Sequence, residues 1–283
     1  MNQSEVNKLI ALYSKTHYIE AIDVAQKLLI KNPDIAIYHN IIGACRAGQK
    51  EFSQAIESYK QALLLDPNYT EVYVNIGQAY FNLQQKDMAI KSFQRALKLD
   101  SKNIEAHNNM GVIFASEGNF ENAQESFAKT VALDKAHAGG HANLGNALKQ
   151  LGQLAKAEQS FKTAIEITPQ NPELYNSLGT IQQSQGKLDA AIKQYEKALE
   201  LNNNYGEVYN NLGGIFAYQT NYKKAALCFR QALSINPGNV EAHTNLGTVC
   251  KNLGDLNAAI ENFKQAISIN PKHAHAYLGL GEV

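Results

Sequence analysis

Eight histidines and three cysteines are the residues of this chain best suited to hold a metal or move a proton. Metal sites need several such ligands gathered at short spacing. Cys45, Cys228 and Cys250 are far apart and form no such set, which fits structural thiols in a reducing, cytoplasmic setting. His137 and His141 are close in sequence, as are His273 and His275, but no cysteine or carboxylate constellation completes either pair. His39, His107, His141 and His243 stand at one position of a repeating pattern, where other copies carry Tyr73, Tyr175, Tyr209 and Tyr277. A position that takes His or Tyr alike reads as amphipathic packing. The glycines follow a long period instead of the tight spacing of a phosphate-cradling loop, and no Ser–His–Asp set stands out. The sequence therefore indicates no enzyme, no cofactor and no metal.

The chemistry that does recur belongs to the amide. Asn75, Asn109, Asn143, Asn211 and Asn245 each lie two residues before a periodic glycine, with Ile41 and Ser177 interrupting the set. A side-chain amide both donates and accepts, so it can pair with the N–H and C=O of a peptide backbone without a charged partner. A second, less regular row, Asn40, Asn108, Asn176 and Asn210, runs beside the first, and Lys149 and Lys251 add local basic contacts. These residues are the candidate contacts for a bound peptide. The same amides have a structural reading, in which they satisfy polar groups between neighbouring helices. Glu71, Glu105, Glu173, Glu207 and Glu241 stand near helix starts, where carboxylates suit the helix dipole, and read as caps.

The elements that must position these rows follow from the period. Gly43, Gly77, Gly111, Gly145, Gly179, Gly213, Gly247 and Gly281 are spaced by 34 residues. Ala55 through Ala259 and the aromatics Tyr59, Phe93, Phe127, Phe161, Tyr195, Phe229 and Phe263 keep the same step. Seven clear units run 36–69, 70–103, 104–137, 138–171, 172–205, 206–239 and 240–273. A divergent unit, 2–35, carries Leu9 in place of the glycine, and 274–283 begins a ninth. Within a unit, apolar residues recur every three or four positions in two blocks, predicting two amphipathic helices of about 12–14 residues. Asp66-Pro67, Thr168-Pro169, Asn236-Pro237 and Asn270-Pro271 mark unit boundaries, with proline as the helix breaker. The expectation is that glycine and alanine let the two backbones approach, while the aromatic fills the wider gap nearer the end of the second helix. Departures include Thr220 and the Gln84-Gln85-Lys86 turn, Thr130 in place of a late alanine, and Gly139-Gly140 at a helix start.

In 206–239 the key positions are Tyr209, Leu212, Gly213, Phe216, Tyr222, Ala225, Phe229, Ala232 and Pro237. This register, repeated along residues 1–283, resembles the tetratricopeptide repeat family. The resemblance implies an all-α fold: a right-handed superhelical solenoid of antiparallel helix hairpins, first helices lining a concave groove. It also implies a scaffold that binds a partner protein or extended peptide in that groove. The asparagine row is similar to that of the repeat domain of O-linked N-acetylglucosamine transferase, where it engages an extended polypeptide. The lysine that a carboxylate clamp of this family needs is missing from its position, which holds Asn40, Val74, Asn108, Ala142, Asn176, Asn210 and Thr244.

Lys plus Arg and Asp plus Glu both number 26, so nothing in the balance points to nucleic acid or an anionic membrane. There is no apolar run of membrane-spanning length and no leader pattern at the start. Asn2-Gln-Ser and Asn68-Tyr-Thr match the glycosylation pattern and read as chance matches. The last residues fall inside a first helix, so the expectation is a fragment, or an open end covered by a partner or by a second copy through self-association. Two alternatives to a plain scaffold stand beside it. One is the substrate-recruiting region of a glycosyltransferase or sulfotransferase, the latter suggested by the opening Leu12-Tyr-Ser-Lys and Asn32-Pro33. The other is a self-assembling structural solenoid.

Overall fold

A computed structural model describes residues 3–283; residues 1 and 2, and with them the start of the first unit and Asn2 of the sequon, lie outside the described residues. The described residues form seventeen helices and no strand. Contacts group them into two compact units, one up to Ala147 and one from Leu148. The first holds α1 (Gln3–Ser14), α2 (Tyr18–Lys31), α3 (Ala36–Gly48), α4 (Phe52–Leu65), α5 (Thr70–Asn82), α6 (Lys86–Leu99), α7 (Ile104–Ser116), α8 (Phe120–Leu133) and most of α9 (Ala138–Gln150). The second holds α10 (Leu154–Ile167), α11 (Pro172–Ser184), α12 (Leu188–Leu201), α13 (Gly206–Tyr218), α14 (Tyr222–Ile235), α15 (Val240–Asn252), α16 (Leu256–Ile269) and α17 (Ala274–Gly281). In each unit consecutive helices pair into hairpins, and the hairpins stack on one another. First helices such as α5 have 13 residues and second helices such as α6 have 14, each about 20 Å long.

Each hairpin turns through one residue in the left-handed region. Thr16, Lys50, Gln84 and Thr220 adopt φ of 58–65°, and Gly118, Gly152, Gly186 and Gly254 adopt 72–81°. These eight positions share the 34-residue period. Thr220 and the Gln84 turn, departures in sequence, therefore keep the glycine's backbone without its freedom, at a cost of about 1 kcal/mol each.

Six boundaries between hairpins are set by an acidic or amide side chain more than by proline, whereas Thr168 instead donates its hydroxyl to Ala164 O. Asp66 Oδ1 accepts from Asn68 N at 3.0 Å, and Asn236 Oδ1 accepts from Gly238 N at 3.1 Å. Asp100, Asp134 and Asn202 make the same turn with no proline after them. The side chain supplies the bond that stops the helix, and proline is an optional addition.

The periodic glycines do something more specific than admit a neighbouring backbone. A Cβ on Gly43, Gly77 or Gly111 in the first unit would lie 2.5–2.6 Å from the ring of Tyr59, Phe93 or Phe127. Gly179, Gly213 and Gly247 face Tyr195, Phe229 and Phe263 at 2.6–2.8 Å. The aromatic of the second helix thus sits in the side-chain space of its own hairpin's glycine, which corrects the expectation of a separate gap. These rings are almost fully buried. Carbon atoms pack best at about 3.5–4.0 Å, so no larger residue fits there while the ring stays.

The divergent first hairpin reverses this pairing. Leu9 replaces the glycine, and Ala25 stands at the aromatic's position. Both are completely buried in one apolar cluster with Val6, Ala21 and Tyr38. Bulk has moved from the second helix to the first, with the sum conserved. A second exchange explains two other departures. Thr130 is fully buried, its Oγ1 donating to Ser126 O at 3.1 Å, and a Cβ on Gly140 would lie 2.9 Å from its Cγ2. The poor helix former Gly140 is the space that the larger Thr130 requires. His137 repairs the start of α9, its Nδ1 accepting from Gly140 N at 2.7 Å.

Candidate peptide-binding face

Five of the eight His and Tyr residues at the shared position make a common hydrogen bond. Tyr73 OH donates to Pro67 O and Tyr175 OH to Pro169 O, at 3.2 and 3.0 Å. His107, His141 and His243 place Nε2 3.0–3.1 Å from Ser101 O, Lys135 O and Pro237 O. In every case the partner lies six residues back, in the turn before the helix. Phenol and imidazole can each donate across that span, which is why they interchange, and packing alone is not the reason. No group of three or more His, Cys, Asp or Glu side chains capable of holding a metal occurs among the described residues. Cys45 and Cys250 are buried and Cys228 is half-buried; burial pushes the Cys45 thiol up to about 11.

The two asparagine rows meet across neighbouring hairpins. In the first unit Asn75 Nδ2 donates to Asn40 Oδ1 at 3.0 Å, and Asn143 Nδ2 to Asn108 Oδ1 at 3.3 Å. In the second, Asn211 donates to Asn176 at 3.2 Å and Asn245 to Asn210 at 3.5 Å. Each pair joins residues 35 apart, one helix to the equivalent helix of the next hairpin. Asn109 stands in the same row opposite Val74, which offers no amide.

Asn40 and Asn176 are buried, and their Nδ2 groups are engaged as well. Asn40 donates to Tyr69 OH and Glu71 Oε1 at 3.3 and 3.4 Å, and Asn176 to Tyr205 OH and Glu207 Oε1 at 3.2 and 3.1 Å. Burial, then the neighbouring Glu71 carboxylate, pushes the Tyr69 phenol up. These four partners escaped the sequence reading, which placed Glu71 and Glu207 as caps. The signal was present: Tyr69 and Tyr205 close the two units that carry Asn40 and Asn176.

The row members Asn75, Asn109, Asn143, Asn211 and Asn245 remain half-exposed. An amide that donates one N–H to its inner neighbour keeps its carbonyl and its second N–H, the complement of one peptide unit. Lys251 is tied to Glu282 at 2.6 Å, and Lys149 holds the equivalent place on α9. A cleft of about 410 Å³ opens beside Asn245, lined by Glu241, Lys251, His273 and Glu282. No helix among the described residues is long and apolar enough to cross a membrane.

Family models described as TPR repeat match residues 48–84 and 145–186. Models described as tetratricopeptide repeat match 170–238, then 70–103 and 240–273, and 104–137. No curated protein matches the sequence. Among solved structures, a chain of the APC/C hetero-tetramer Cut9–Hcn1 superposes with a TM-score of 0.65 at 19% identity, over 98% of this chain. This chain spans 55% of the length of that one. MamA superposes at 0.53 with 28% identity, over 56% of this chain and 94% of its own. YrrB, a TPR protein with an unusual peptide-binding site, superposes at 0.56 with 23% identity, over 69% and 100%. With hairpins of one period, matched to the same repeat from residue 48 to residue 273, the chain belongs to the tetratricopeptide repeat family.

Proposed function

We propose that two faces, one carrying Asn75, Asn109 and Asn143 in the first unit and one carrying Asn211 and Asn245 in the second, each hold an extended segment of a partner protein. Repeats of this family bind peptides or proteins as a class, and the present chain adds a regular means of doing so. The observation that carries the reading is the recurring amide pair. At four of the five positions an inner asparagine fixes the outer one, so a partner's backbone meets amides already oriented, and little rotamer entropy is lost on binding. Backbone pairing of this kind requires an extended chain and tolerates many side chains. The asparagine position is the whole likeness to the repeat domain of O-linked N-acetylglucosamine transferase, and the proposal stands on the geometry of these pairs.

The test compares proteins captured from a cell lysate by the wild type and by a variant with the five outer asparagines changed to alanine. Circular dichroism first establishes that both are equally helical. Partners lost from the variant support the reading. An unchanged set of partners refutes it.

A further inference from the structure

We propose that the first unit contains an anchor pocket that selects one uncharged apolar side chain, of leucine, methionine or phenylalanine size, from the bound peptide. This rests on the peptide-binding reading above and adds a sequence preference to it. A cavity of about 300 Å³ opens beside Asn75. Ala44, Ala47, Tyr13 and Phe52 give it an apolar lining, and the amides of Asn75 and Gln78 supply polar groups. Asn82 adds a third amide, so apolar surface and convergent amides stand side by side, as in small-ligand sites.

The cavity exists because of particular side chains. The position of Ala47 is held by Phe81 in the next hairpin, and that of Ala44 by Val112 in the one after. Either residue would occupy space that the alanines leave open. Gly48 contributes indirectly. A Cβ there would lie 2.5 Å from the Tyr18 ring, so its absence lets Tyr18 approach. Tyr18 in turn packs against Tyr13, with ring centroids 5.7 Å apart. Of the aromatic lining, Tyr13 is thus braced by Tyr18.

Charge decides what enters. No Asp, Glu, Lys, Arg or His lines this cavity. A charged side chain would give up its hydration there and find no counter-charge, whereas an apolar one loses contact with water. The cleft beside Asn245 in the second unit has the opposite character, with Glu241, Lys251 and Glu282 in its lining. The amides of Asn75 and Gln78 can pair with the peptide backbone on either side of the anchor residue.

The experiment uses fluorescent nonapeptide pools, acetylated and amidated, with a fixed central residue and neutral mixtures elsewhere. Binding is read by anisotropy. Pools fixed as Leu, Met or Phe are expected to bind the wild type about tenfold more tightly than pools fixed as Gly, Lys or Glu. Ala44→Val with Ala47→Phe fills the pocket using residues that equivalent positions already carry, and it should reduce the apolar pools to the Gly level. Tyr13→Ser, which removes the lining from the other side, should flatten the preference without relying on the filled variant. Equal binding of all pools to the wild type overturns the proposal, as does a preference that survives both variants. The variant with five asparagines changed to alanine separates the two readings. If it binds as the wild type does and keeps the apolar preference, the asparagine reading fails and the pocket stands. If no pool binds the wild type, both fail.

Discussion

The exchange of volume between Thr130 and Gly140 can be tested as a thermodynamic cycle. In Gly140→Ala the new Cβ would lie 2.9 Å from Thr130 Cγ2 and 3.2 Å from Val131 Cγ1. Carbon contacts are comfortable at about 3.5–4.0 Å, so the neighbours must shift by several tenths of an ångström. Overpacking of this kind costs about 1–3 kcal/mol. The better helix propensity of alanine returns about 1 kcal/mol, leaving a net loss of about 1 kcal/mol. Thr130→Ala removes a methyl and the bond to Ser126 O, and the resulting hole costs about 1 kcal/mol. In the double variant the alanine at 140 occupies the space vacated by the threonine methyl. His137 Nδ1 at 3.0 Å and Val131 Cγ1 at 3.2 Å still press on that Cβ and offset the propensity gain, so the double variant should match the wild type within about 0.5 kcal/mol, a coupling of about 2 kcal/mol. Arrays of repeats can unfold in parts, so amide exchange in α8 and α9 should accompany urea titration. Additive effects, or a stabilising Gly140→Ala on its own, would refute the reasoning.

Two further expectations concern stability. Gln84→Gly and Thr220→Gly relieve left-handed backbone at exposed turns and should each stabilise by about 1 kcal/mol, whereas Gly186→Ala should destabilise by about 1–2 kcal/mol; thermal denaturation of the three variants decides the sign. Glu158 is nearly buried, and hydrogen bonds from Lys162 and Lys187 hold its carboxyl down to about 2. A lowered carboxylate pKa contributes stability that is present above the unfolded value, 4.5, and lost as pH falls toward 2. Urea titrations between pH 6 and pH 2.5, at about half-unit steps, should show wild type losing more stability than Glu158→Gln; parallel curves would remove Glu158 from the acid response.

The period was legible because one packing problem recurs in every hairpin and admits few solutions. A ring pressed on a Cα leaves glycine as the only fit, so Gly77 with Phe93 and Gly213 with Phe229 stand out against variable surroundings. What escaped the sequence were relations in which two changes compensate. Leu9 is visible as a missing glycine, but its reason is Ala25, sixteen residues on, where no ring needs a socket. Thr130 and Gly140 each looked like a defect, and only their contact makes them one adjustment. The site divided in the same way. The outer asparagines were evident from spacing, whereas the tyrosines and glutamates that engage Asn40 and Asn176 depend on which hairpin packs beside which. The hydrogen bond six residues back was concealed because His and Tyr share it without sharing an aliphatic or charged class.

The ring and the glycine that receives it belong to the same 34 residues, so the size match travels with the segment that encodes it. Such a cassette can be duplicated or deleted by unequal recombination without creating a clash at its socket. Thr130 with Gly140, Tyr18 with Gly48 and Phe263 with Gly279 are fits of another kind, because each joins successive cassettes. A crossover between residues 130 and 140 that joined Thr130 to Val208 or Leu174, the counterparts of Gly140, would press a full side chain against its methyl. Such junctions are therefore inherited as pairs, and the array can change length more freely at boundaries that carry none.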